Sequence, residues 1–141
     1  TIKIPEEIFI PDEFIDDLDL RLSIYKRISS VNNNEELSNL IIELRDRFGP
    51  IPKELNNLFN LIEIKILCIE YNVEQFEFSR KGIVIGFYMN KPKNPQKLID
   101  LSMNRHSNFT LRPDQKIFYD FMGHLNTGRF DLSKKILDQI K

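Results

Sequence analysis

Three charged residues near the middle of the chain, Glu43, Asp46 and Arg47, are spaced for recognition. Glu43 and Asp46 are three apart, so on a helix they share one side, and Glu43 and Arg47 form an i,i+4 pair of the favourable sense. Two carboxylates so placed offer acceptors to the guanidinium groups of a partner. The competing reading is a surface ion pair, worth about 0–1 kcal/mol. Other chemistries fail on spacing. Zinc requires several His or Cys at short intervals, whereas His106, His124 and Cys68 stand far apart. The acidic run Asp12, Glu13, Asp16, Asp17 and Asp19 is not a calcium loop: counted from Asp12, the glycine position holds Asp17 and the final acid position holds Ser23. Lys81-Gly82 lacks the further glycines and the Ser/Thr of a phosphate-binding loop. Cys68, inside the apolar run Ile66-Leu67-Cys68-Ile69, reads as a buried small hydrophobe. No catalytic, cofactor-binding or metal-binding set is expected.

These charges precede a corner, Phe48-Gly49-Pro50-Ile51-Pro52, that ends one helix and starts another. Gly49 can take a positive φ at the helix end, Pro50 cannot continue the helix, and Pro52 suits the first turn of the next. The preceding helix is expected from an N-cap at Asn34 to Phe48, with Leu37, Leu40, Ile41, Leu44 and Phe48 as its core stripe. On that stripe's geometry Glu43 falls at the edge and Asp46 nearly opposite, so both acids reach solvent or a partner. An earlier helix is expected from about Asp17 to Ser29, with Leu18, Leu22, Tyr25 and Ile28 on its buried face and Phe14 beside them. A third is expected from Pro52 to Tyr71, apolar on most sides and therefore the most buried element. It is followed by Asn72 in a left-handed conformation. A helix–turn–helix that reads DNA is disfavoured, because this third helix exposes only Lys53 and Lys65 as bases. The period then changes from 3.6 to 2: Val73–Ser79 and Ile83–Tyr88 read as a hairpin turned at Arg80-Lys81-Gly82. A short helix from Pro95, two further short strands (Phe109–Arg112 and Lys116–Phe121) and a last helix from Asp131 to Ile140 complete the reading. The class is α+β, a helical N-terminal half of three helices packed with a small antiparallel sheet and a C-terminal helix. Residues 1–15 are expected as an extended entry segment and 16–141 as a single domain.

The 141 residues carry 41% hydrophobic and 29% charged side chains, a soluble globular composition. No apolar run is long enough to span a membrane, and no signal segment precedes the first element. The single cysteine fits a reducing cytoplasm. The chain opens on Thr1 and is expected to be a fragment of a longer protein. The net charge of −1 conceals an asymmetry. Residues 1–79 hold 8 Lys/Arg against 16 Asp/Glu, and residues 80–141 hold 12 against 5. A basic second half admits a nucleic-acid-binding module as the alternative function. Its basic residues are scattered along the sequence, which favours ordinary solvated faces.

Three blocks in order, Ile10-Pro11-Asp12-Glu13-Phe14-Ile15, Arg21-Leu22-Ser23-Ile24-Tyr25-Lys26-Arg27-Ile28 and Glu43-Leu44-Arg45-Asp46-Arg47-Phe48-Gly49-Pro50-Ile51-Pro52, resemble the C-terminal domain of the bacterial transcription-repair coupling factors. The resemblance continues through Leu111 and Asp114 into the last helix. Asp16 departs from it, where a second proline is usual, as does Asn72, where glycine is usual. The resemblance implies a non-catalytic domain of an ATP-dependent double-stranded-DNA translocase that displaces stalled RNA polymerase and recruits nucleotide excision repair through UvrA. ATP and magnesium then belong to the motor of the full-length protein and not to this domain. It further implies that this domain docks on the UvrB-like module of the same protein, masks UvrA binding, and presents the acids at Glu43 and Asp46 to arginines of that module.

Overall fold

The computed structural model describes residues 1–141 and divides into two compact units, Glu6–Ile66 and Thr1–Pro5 with Leu67–Lys141.

The Glu6–Ile66 unit is built on α1 (Leu18–Ser29), α2 (Asn34–Phe48) and most of α3 (Lys53–Glu70). Asp17 caps α1, its carboxylate accepting from the Leu20 amide at 3.3 Å. The N-cap of α2 is Asn33 and not Asn34: its Oδ1 accepts from the Glu36 amide at 2.9 Å, and Glu36 Oε2 accepts in return from the Asn32 amide at 2.9 Å. Either asparagine satisfies the cap chemistry, and the bond that the Glu36 carboxylate accepts from the residue just before Asn33 selects the earlier one. Gly49 closes α2 at φ 98°, its amide donating to the Arg45 carbonyl at 2.9 Å, and the Pro52 carbonyl accepts the first bond of α3 from Asn56.

The core of this unit joins Ile10, Ile15, Ile24, Ile28, Leu37, Leu40, Leu44, Leu55, Phe59 and Ile62. The expected buried face of α1 holds at Ile28, with Tyr25 and Phe14 packed against the core, and is corrected at Leu18 and Leu22. Leu18 and Leu22 are 57% and 55% exposed, while Ile24 and Ile28 are fully buried and Leu20 packs against them. Helix α1 carries two apolar rows at i,i+4 spacing, and the longer Leu20-Ile24-Ile28 row takes the core.

The other unit is a five-stranded sheet with helices. Its strands are β1 (Ile2–Lys3), β2 (Val73–Phe78), β3 (Gly82–Phe87), β4 (Phe109–Leu111) and β5 (Ile117–Asp120), in the order β1-β2-β3-β5-β4. Helices α4 (Pro95–Met103) and α5 (Arg129–Ile140) complete it. The hairpin pairs Phe76 with Ile85 and Phe78 with Ile83. The sheet is mixed, because β1 joins β2 in parallel, Ile2 opposite Phe76. All other pairs are antiparallel, as expected. Five of the six residues of β3 are buried, and this central strand, not α3, is the most enclosed element; Ile69 of α3 is 70% exposed. Leu132, Ile136, Leu137 and Ile140 of α5 are buried as their spacing predicts. Asn72 has the left-handed φ, 61°, and its side-chain amide donates to the carbonyls of Tyr88 and Lys91 at 3.2 and 2.6 Å. An asparagine tolerates this conformation and adds a clasp that glycine would lack.

Candidate functional site: an acidic face on α2

The register of α2 decides where its charges point. Leu37, Leu40 and Leu44 are buried, which leaves Ile42 at 53% exposure, Glu43 half-exposed and Asp46 exposed on the outward side. Ile42 and Asp46 are i,i+4 neighbours, so an apolar side chain and a carboxylate stand together. Beside them a shallow depression of about 290 Å³ is lined by Arg27, Ser30, Val31, Glu36, Asn39, Leu40 and Glu43.

The two acids have different surroundings. Glu43 is held within the chain: Arg27 of α1 donates from Nη1 to Oε2 at 2.6 Å and from Nη2 to Oε1 at 2.8 Å. Arg47 Nη1 lies 3.5 Å from the same Oε2, the i,i+4 pair expected from the sequence. The forked hydrogen bonding from Arg27, then its charge, then Arg47, hold the Glu43 carboxyl down at about 2. Arg47 also places its guanidinium 4.8 Å from the centre of the Phe48 ring. Asp46 is exposed and forms no ion pair within the chain. Of the three expected site residues, Glu43 and Arg47 therefore touch, and Asp46 stands beside them as the uncommitted anion.

Arg27 is the member that sequence reasoning missed. It lies sixteen residues before Glu43, and only the crossing of α1 and α2 brings the two together. Its neighbours in the same block are also structural. Arg21 Nη1 donates to the Ile15 carbonyl at 2.8 Å, and the Tyr25 hydroxyl accepts from the Ile10 amide at 2.5 Å. Burial pushes the Cys68 thiol up to about 12, as suits a core side chain. No three His, Cys, Asp or Glu side chains converge as a metal site would require, and no helix is long and apolar enough to cross a membrane.

Comparison with known proteins bears on this arrangement. Transcription-repair-coupling factors from Rickettsia bellii and Haemophilus influenzae are 34% and 35% identical over 84% and 87% of this chain, and that from Escherichia coli is 34% identical over 72%. The chain spans only about a tenth of the length of these relatives, 10%, 11% and 9% respectively. A crystal structure of the C-terminal domain of a transcription-repair coupling factor has the same fold, with a TM-score of 0.79 at 20% identity, covering 99% of this chain and 88% of that one. The family model of the TRCF domain matches residues 4–98, a span that holds Glu43, Asp46 and Arg47. The chain belongs to the TRCF domain family.

Proposed function

We propose that this domain is a non-catalytic, autoinhibitory interaction module of a longer transcription-repair coupling factor. It docks through α2 on the UvrB-like module of the same polypeptide and masks the surface that UvrA binds. The ATP-driven translocation on double-stranded DNA, the displacement of stalled RNA polymerase and the requirement for ATP and magnesium belong in this reading to other parts of that protein, in the cytoplasm. The observation that carries the proposal is the exposed, unpaired carboxylate of Asp46 beside exposed Ile42 and the Glu43–Arg47 pair. A carboxylate of this kind can accept a forked pair of hydrogen bonds from a partner arginine without breaking a bond inside the domain. Glu43, already engaged by Arg27 and Arg47, contributes shape and not a free negative charge.

Tethering makes such docking effective at modest contact energy, because the two surfaces meet at high effective concentration. Opening then requires only a few kcal/mol of bias from whatever engages the rest of the protein.

Titration of the domain with the separately produced UvrB-like module at low salt tests this reading. Asp46→Lys is expected to weaken binding by about tenfold or more, equivalent to ~1.4 kcal/mol, with the fold unchanged. Unaltered affinity would place the interface elsewhere.

A further inference from the structure

The basic residues that are scattered along the second half of the sequence are partly gathered in space. Pairing of Gly82 with Asp120, and a 2.9 Å hydrogen bond from the Phe121 amide to the Lys81 carbonyl, set the β2–β3 turn against the segment that leaves β5. Between them lies a cavity of about 600 Å³, whose lining includes Arg80, Lys81, His124 and Arg129. Arg80, Lys81 and His124 are exposed and Arg129 is half-buried. The lining carries one carboxylate, Asp120, and its Oδ1 already accepts the Met122 amide at 2.7 Å. Phe78 and Phe121, with ring centres 5.8 Å apart, supply an apolar wall.

We propose that this cavity binds the phosphate groups of a nucleic-acid strand, a ligand independent of the α2 docking reading. Arg80 and Lys81, two permanent cations with exposed side chains, stand together at one concavity, and the planar fork of the arginine matches phosphate oxygens. The cavity is far larger than a lone phosphate needs, and its phenylalanines offer a surface to a sugar or a base. The unit that contains it, Thr1–Pro5 with Leu67–Lys141, holds 13 Lys/Arg against 8 Asp/Glu, which favours a polyanion over a neutral ligand.

The test is fluorescence anisotropy of the 141-residue protein with a labelled single strand of about 12 nucleotides, starting near 50 mM salt and raising it. Binding is expected, with a log–log salt slope of roughly −0.7 per phosphate contacted. The double variant Arg80→Glu/Lys81→Glu is expected to weaken binding by about tenfold or more and to reduce the slope by about one to two units. Its residues are exposed, so circular dichroism should show the fold intact; Arg129→Gln gives a second reading from another lining residue. Lys135→Glu, on α5 and outside the cavity lining, should bind as the parent does. A nucleoside monophosphate should displace the strand, whereas poly-glutamate of matched charge should not. Absence of binding at the lowest salt, equal weakening by Lys135→Glu, or equal displacement by poly-glutamate would each overturn the proposal, the last by assigning the cavity to acidic protein segments.

Discussion

Glu43 accepts two hydrogen bonds from one guanidinium and lies within 3.5 Å of a second, and this sets how its charge acts with pH. Its carboxyl sits at about 2 in the folded chain against an ordinary 4.5. The stabilising contribution is therefore complete above the ordinary value and is lost as pH falls toward the folded one. Urea unfolding of Glu43→Gln and the parent should show a gap in midpoint that is constant above about pH 5 and closes toward about pH 2. The i,i+4 partner Arg47 was legible in the sequence because helix geometry is local. Arg27 was not, because its position depends on how two helices cross. Cys68 was legible from its apolar neighbours, and it is 2% exposed. Its thiol, held protonated by burial, should resist a disulfide reagent in the native chain and react once urea unfolds it.

Among the elements, those fixed by capping and periodicity matched the sequence reading within a few residues, while choices between equivalent local patterns did not. Two apolar rows compete on α1, and the packing of Leu20, Ile24 and Ile28 in the core shows which of them is buried. Two adjacent asparagines offer the same capping chemistry, and Glu36, whose amide donates to Asn33 Oδ1 and whose carboxylate accepts from the Asn32 amide, selects the first. Asn33→Ala should therefore cost about 1 kcal/mol in chemical unfolding, and Asn34→Ala much less. The two-residue strand β1 was not legible as a strand at all, since its partner Phe76 lies more than seventy positions away. Gly82 shows the same dependence on distant structure. A Cβ there would fall on the Tyr119 carbonyl oxygen and 2.6 Å from a Phe118 ring carbon. Gly82→Ala should lower stability by at least about 2 kcal/mol. Gly86→Ala should lose less, because its Cβ would meet the movable end of Gln75 at 3.1 Å.

At the scale of the whole molecule, charge is segregated by unit. Glu6–Ile66 holds 7 Lys/Arg against 13 Asp/Glu, the reverse of the balance in the sheet unit. The α2 face and the cavity beside the β2–β3 turn lie in different units and share no lining residue, so their variants should not cross over. Asp46→Lys should leave strand binding unchanged, and Arg80→Glu/Lys81→Glu should leave docking on the UvrB-like module unchanged, each within about twofold. The sequence showed the imbalance between halves but not the convergence of Arg80, Lys81, His124 and Arg129, which required the pairing of β3 with β5. The hydrogen bond that Tyr25 receives from the Ile10 amide has one further use. The chain has no tryptophan, and of its four tyrosines only Tyr25 lies in the Glu6–Ile66 unit. Fluorine-labelled tyrosine would therefore place a single resonance in that unit, at the junction of its entry segment with α1. The loosening of that junction could be followed separately from the melting of the sheet.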